Sequence, residues 1–403
     1  MSVDVEAAVR AVDATAVMEL LRGRPRLLGL GEPTHGDEVL LELRNALFRQ
    51  LVEQEGYRTF ALESDCLMGL VVDGYVTAGA GSLDEVMAGG FSHGWGAFAG
   101  NRALVVWMRA YNEGRPAEQQ VRFVGFDGPL EMTGAASPRQ ALTGLFGFLA
   151  ARVDAELLPC SAQTLDGLLG VDERWTEPAA MMDASRSVGS SPQVRRLRLL
   201  ADDLVALLES QAPHLTAVSS VDEWDRACLF GRTAVGLLRY HRWMADGSPG
   251  RMGWLLSVRD SMMAANLLAV AERAAQRGPA LVCAHNAHLQ RHRSGMRLGG
   301  VPLSWWSAGA MVGSRLGGGY AFLASAVGTI LSQGVQAPPP DTVEGVLYGL
   351  PRDSCLVDAG RLAALLGASV PARVSAWYGY APLDPRYLAD ADGIVFVKDA
   401  VVA

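Results

Sequence analysis

Apolar residues follow two alternating patterns along the chain: short continuous runs, and longer stretches in which they return every three or four positions. The short runs predict strands at 26–31, 59–62, 121–126, 280–284, 320–326 and 393–398. Each is apolar at successive rather than alternate positions, as expected of strands covered on both faces. Strands that alternate with helical patterns predict an α/β fold, a mostly parallel sheet with helices on both faces.

The helix after the first strand reads most clearly. Val39, Leu40, Leu43, Leu47, Phe48, Leu51 and Val52 share one face, and Gly56 is placed to stop it. Arg44 falls inside that apolar stripe, so it needs a carboxylate partner. Ser82 and Glu85 have capping-box spacing, opening a helix that Gly89 and Gly90 end. Between the third and fourth strands lie about 150 residues with helical patterns only, near 140–152, 193–211, 221–245 and 254–277. One crossover needs far fewer. The expected organisation is therefore an α/β core in two parts, 1–128 and 279–403, interrupted by a helical insertion or lid at 129–278 that forms a cleft. Residues 338–340, three prolines, are a loop, and a short segment of ambiguous pattern precedes the final strand.

Composition narrows the partners. The 403 residues hold 35 basic and 43 acidic side chains, a net charge of −8 with no basic stripe, which argues against nucleic acid and anionic membranes. No apolar run approaches the roughly 18 residues of a spanning helix, and the N-terminus lacks a basic-then-apolar leader pattern. Cys66, Cys160, Cys228, Cys283 and Cys355 are odd in number, widely spaced and never in a CxxC pair. A reducing, cytoplasmic setting fits them, and they read as small core residues. Lys398 is the only lysine, which argues against Schiff-base chemistry. No oligomeric state follows from the sequence.

Candidate chemistry comes from the polar residues that follow the strands. Strand one is followed by Glu32 and His35, strand two by Glu63, strand three by Asp127, and strand four by His285 and His288. Open α/β sheets bind ligands at the carboxyl ends of their strands, so these groups converge on one edge, with Arg44 beside them. Clustered ionisable groups of this kind suit acid–base work. His93, His214, His241 and His292 read as surface or structural.

Two familiar motifs nearly fit. Gly29, Gly31 and Gly36 imitate a dinucleotide fingerprint, but Glu32 would face the pyrophosphate and Pro33 lacks the N–H that a phosphate needs. Gly90, Ser92 and Gly94 form a literal GxSxG, with Asp127 and His285 following in triad order. A serine nucleophile must stand on a strand-to-helix elbow, whereas Ser92 follows a helix that has already ended. His285 and His288 with Glu32, His35 and Glu63 also have the donor types of a zinc or manganese site. Arg44 would place a fixed positive charge beside the ion, so no cofactor is expected and a divalent metal is the unfavoured alternative.

These segments together resemble the erythromycin esterase family. The likeness rests on Gly31, Glu32, Pro33, Thr34, His35 and Gly36, then Arg44, Glu63, the Trp107 to Asn112 segment and Asp127. It continues through Arg259, Asp260, Met263, Ala264 and Asn266, then Ala284 to His288 and Ala389 to Phe396. The resemblance implies an α/β core with helical additions forming a deep cleft, and hydrolysis of a macrolactone ester without a serine nucleophile. It maps the water-activating base onto His35, its glutamates and arginine onto Glu32, Glu63 and Arg44, and two further histidines onto His285 and His288. Members with this motif set are associated with macrolide resistance and also with natural-product biosynthesis.

The same roles follow from the chemistry of ester hydrolysis, which needs a base near neutrality and donors for the developing oxyanion. His35 is the expected base, with Glu32 or Glu63 orienting its ring. Arg44 fixes the glutamates, and His285, supported by His288, donates to the carbonyl oxygen or the leaving alkoxide. The substrate is expected to be a small hydrophobic molecule. The alternatives are a dehydratase, lyase or cyclase using the same groups, and a metabolite-binding or immunity protein.

Overall fold

All six apolar runs form strands, and they lie in one sheet. The computed structural model describes residues 8–131, 134–367 and 369–400. Its strands are β1 (Val9–Arg10), β2 (Leu27–Glu32), β3 (Thr59–Asp65), β4 (Arg122–Asp127), β5 (Leu130–Glu131) and β6 (Gly134–Ala135). They continue with β7 (Ala280–His285), β8 (Arg293–Leu298), β9 (Val301–Trp306), β10 (Tyr320–Thr329), β11 (Ser354–Asp358) and β12 (Gly393–Asp399). The large sheet has the order β1-β11-β12-β10-β2-β7-β3-β4, while β5–β6 and β8–β9 are separate antiparallel pairs. Strands β12, β10, β2, β7 and β3 run parallel, and β11 and β1 continue the sheet antiparallel. This is the expected α/β class, a mostly parallel sheet flanked by helices. Every residue of β2, β3 and β10 is buried, which is why their sequences show no alternation.

The helix Glu38–Glu55 forms where its stripe predicts. Asp37 caps it by accepting from the Val39 and Leu40 N–H groups, and Gly56 ends it at φ 73°, a left-handed conformation that favours glycine. Ser82 and Glu85 close the predicted capping box on the helix Leu83–Gly89. Helices Arg139–Ala150, Pro192–Ser210, Val221–Met244 and Arg251–Arg277 fill the long interval between β4 and β7. No helix among the described residues is long and apolar enough to cross a membrane.

The chain divides into two compact units. Residues through Phe126 together with those from Leu267 form the first, and Asp127–Asn266 the second. The second has its own core, including Leu130, Ala180, Met181, Leu237, Tyr240 and Leu255. Trp175 and Met181 are core residues, Trp243 stacks on Trp254 at 4.6 Å, and Met182 is exposed.

His241 lies in this second unit, edge-on to Trp175, and its Nε2–H donates to the Ala136 carbonyl at 2.8 Å. Burial pushes its pKa from the ordinary 6.5 down to about 4. Between those values the unfolded chain binds the extra proton and the folded chain does not, so stability falls as the pH falls through that window. Denaturant titrations at pH 7 and pH 5 are expected to show this loss, and to show a smaller one in His241→Gln. Equal losses in the two proteins would place the acid sensitivity elsewhere.

Candidate active site

Three neighbouring interior strands of the sheet, in the order β2-β7-β3, end together and bring the site residues with them. Glu32 at the end of β2 is the register partner of His285 at the end of β7. Leu62 of β3 pairs with Cys283 of β7, which sets Glu63 one step further along, beside that same edge. His35 follows β2 by three residues, and His288 stands on the single helical turn Asn286–Leu289 that follows β7. All six residues expected at the site, His35, Glu32, Glu63, Arg44, His285 and His288, are in one cluster within the first unit.

His35 sits between two buried carboxylates. Its Nδ1 is 3.5 Å from Glu32 Oε2, and its Nε2 is 3.8 Å from Glu63 Oε2. The Glu32 and Glu63 side chains are 5% and 4% exposed, whereas His35 is 42% exposed and so open to a ligand. Glu32 Oε2 is buried without a hydrogen bond, so the nearby His35 Nδ1 is the polar group that faces it. Trp95 forms a wall, edge-on to the His35 ring at 5.0 Å, and the His285 ring lies 5.3 Å away in the same manner.

Glu63 is the hub of the cluster. Its Oε2 accepts the His285 backbone N–H at 2.8 Å, and its Oε1 lies 3.3 Å from His288 Nε2. The His285 ring caps its own short helix, with Nδ1 accepting the Ala287 N–H at 3.1 Å. Nε2 therefore carries the proton. Burial, and then the neighbouring His35, push the His285 pKa down to about 3, against the opposing pull of Glu63. His285 is thus a neutral imidazole, suited to donating a hydrogen bond and poorly suited to serving as a proton source.

Arg44 is buried within the helix Glu38–Glu55, and its expected carboxylate partner is Glu32, with Nη1 3.5 Å from Oε1. The rest of the guanidinium is held by two asparagines that sequence reasoning missed. Nη2 donates to Asn101 Oδ1 at 2.7 Å, and Nη2 and Nε donate to Asn45 Oδ1 at 3.2 and 3.3 Å. The guanidinium also lies over the Phe60 ring. Asn101 in turn donates to the Trp95 carbonyl, which links the arginine to the wall beside His35.

Asn286 is another missed residue, although it sits inside the segment that carries both histidines. Its side chain brackets the Ser325 backbone, donating to the carbonyl at 2.8 Å and accepting the N–H at 3.1 Å. A Cβ on Gly31 would fall 2.1 Å from Asn286 Oδ1, so the glycine before Glu32 is required by this close approach rather than by a phosphate.

The remaining candidates are placed elsewhere or otherwise engaged. Asp127 ends β4, the edge strand, belongs to the second unit, and is held by Arg259 Nε and Nη2 at 2.9 and 2.6 Å. Ser92 is buried, its Oγ accepts the Asp65 N–H at 2.8 Å, and its own N–H donates to Ser64 Oγ at 3.0 Å. It ties a loop to the end of β3, and the strand-to-helix elbow of a serine nucleophile is not there. Cys66 and Cys283 are buried, and burial pushes the Cys283 thiol pKa far up. His292 stacks on Tyr387 beside Asp390, and His214 bonds to the Arg152 carbonyl. Among the described residues, no group of three or more His, Cys, Asp or Glu side chains is arranged to hold a metal ion.

Comparison with known proteins adds to this geometry. A family model described as erythromycin esterase matches residues 52–400. Erythromycin esterase type II of Escherichia coli is 25% identical over 275 residues, 67% of this chain and 62% of that protein, so the match spans less than two thirds of the relative's length. Among solved structures, a Bacillus cereus protein aligns with a TM-score of 0.73 at 17% identity, covering 99% of this chain and 97% of that one. A succinoglycan biosynthesis protein aligns at 0.70 and 14%, covering 99% and 96%. A mutant of the erythromycin esterase EreC in its open conformation aligns at 0.68 and 20%, covering 96% and 93%. At these identities the structures establish the shared fold.

Proposed function

Since the chain belongs to the erythromycin esterase family, we propose that it hydrolyses an ester or lactone of a small hydrophobic molecule, using a water that His35 activates. The observation that carries this reading is the His35 ring itself, half-exposed between two buried carboxylates and beside a neutral imidazole. With Nδ1–H toward Glu32, the Nε2 lone pair takes a proton from water as the oxygen attacks the carbonyl carbon. Glu32 and Glu63 stabilise the imidazolium that forms, as a carboxylate does for a catalytic histidine elsewhere. His285 Nε2–H, which faces the Pro33 carbonyl, turns from it to donate to the substrate carbonyl oxygen as negative charge develops there. The imidazolium then returns its proton to the departing alkoxide, so one water is consumed and one acid and one alcohol are released. Arg44 holds Glu32, and His288 holds Glu63.

Macrolactones are the first substrates to test, because the curated relative is an erythromycin esterase. A mass-spectrometric screen against macrolides and other lactones is expected to find one that gains the mass of a water. Loss of a water would instead indicate a dehydratase or lyase, and tight binding without any mass change a sequestering protein.

Ser92→Ala is a sharp control. The variant is expected to keep kcat within about threefold of wild type, since the hydroxyl makes only structural contacts, while losing about 1–3 kcal/mol of stability because the buried Asp65 N–H loses its Ser92 acceptor. Labelling of Ser92 by a mechanism-based serine reagent with loss of turnover would contradict the mechanism.

A further inference from the structure

Between the helix Ala359–Leu366 and β12 lies a stretch, 370–384, without helix or strand. Buried polar groups tie it down at both ends. Arg373, 6% exposed, donates to the carbonyls of Val327, Gly328 and Gln336, each at 2.7 Å, at and beyond the end of β10. Glu344, wholly buried on the short helix Val343–Tyr348, accepts the Leu383 N–H at 2.9 Å and lies 3.3 Å from the Tyr380 hydroxyl through the same Oε1. Tyr380 also shares a buried cluster with Leu40 of the helix that carries Arg44, and Trp377, Val39 and Leu43 pack against that cluster.

Between the anchors at Tyr380 and Leu383, the Ala381 N–H donates to the Pro33 carbonyl at 2.8 Å. Pro33 lies between Glu32 and His35, and its carbonyl also interacts with the His285 ring. The His35 ring reaches its carboxylates only at 3.5 and 3.8 Å, so its own contacts do not lock it, and its place depends on the backbone of the turn.

We propose that residues 373–383 are a strap that sets the Glu32–Pro33–Thr34–His35 turn against Glu63 and His285, with Glu344 as a positioning residue and the Ala381 N–H as the contact that transmits it. This rests on the reading of His35 as the base. Glu344 touches no reacting atom in this account. It holds the strap, and the strap holds the turn.

Two pairs of variants test the strap. Ala381→Pro removes the N–H at a position that the following Pro382 already keeps extended, while Ala381→Gly retains it. Glu344→Leu removes the acceptor, while the amide oxygen of Glu344→Gln keeps it for Leu383. Ala381→Pro and Glu344→Leu are expected to lower kcat by about 10- to 100-fold with KM changed by less than about twofold, as misplacement of a reacting group does. Ala381→Gly and Glu344→Gln are expected to stay near wild type. The ring nitrogen resonances of His35 and His285 in nitrogen-15 spectra, assigned from single histidine variants, should move in Ala381→Pro and not in Ala381→Gly.

That spectroscopic readout needs no substrate, so the strap is tested even if no hydrolysis is found and the functional reading fails. Wild-type kcat and unmoved resonances in Ala381→Pro would overturn the strap. So would equal effects of the proline and glycine variants.

Discussion

His35→Asn is expected to lower kcat by about 10³-fold, within the range that a positioned general base contributes, with KM changed by no more than a few-fold. Asparagine keeps a polar side chain of similar reach, but it cannot take a proton from water. Neither neighbouring histidine stands ready to replace it. The His285 Nδ1 lone pair is occupied by the Ala287 N–H and the ring pKa lies near 3, while His288 is buried against Glu63. The fold should be unaffected, because His35 is 42% exposed and makes no contact with its carboxylates closer than 3.5 Å. Steady-state kinetics beside a thermal melt check both halves of the prediction. A variant that folds and turns over at the wild-type rate would remove His35 as the base.

The second large effect is on stability. Arg44→Met is expected to cost about 3–5 kcal/mol, because it strips the cation from a carboxylate that stays buried. Glu32 would keep its buried charge with only the half-exposed His35 nearby, and Asn45 and Asn101 would lose the donors that now satisfy their side-chain oxygens. Arg44→Lys should recover only part of the loss, since one ammonium cannot serve Glu32 and both asparagines as the planar fork does. Adding Glu32→Gln to Arg44→Met should restore some stability, and chemical denaturation of the single and double variants measures it. Strictly additive losses would mean that Arg44 and Glu32 do not act as a pair.

The sheet and its site were legible because they rest on local patterns. The strands that carry Glu32, Glu63 and His285 are unbroken apolar runs, and the end of each run marks where the polar groups leave the core. Arg44 was legible as an anomaly, a charge inside an apolar stripe. The edge of the sheet was not. β1 is two residues long, and β11 offers three apolar residues between polar ends, too little to tell from a turn. The β8–β9 hairpin carries its signal in Gly299 and Gly300, both at positive φ, but its strands are largely exposed and mixed in polarity.

Partners distant in sequence were also hidden. Asn101 reaches Arg44 from 57 residues away, and Ala381 meets Pro33 through a segment with no periodicity. Asp127 shows the opposite error. It ends a strand as Glu32 does, but its strand is at the edge of the sheet and its carboxylate is taken by Arg259. The site residues Glu32, Glu63 and His285 all come from strands with a neighbour on both sides.

Direct attack of water on the ester is tested by a single turnover in heavy-oxygen water, with both product and protein weighed after quenching. One heavy oxygen is expected in the carboxylate of the product and none in the protein, with no acylated peptide at any time. Heavy oxygen in a peptide containing Glu32 or Glu63, or an acyl adduct on any side chain, would contradict it.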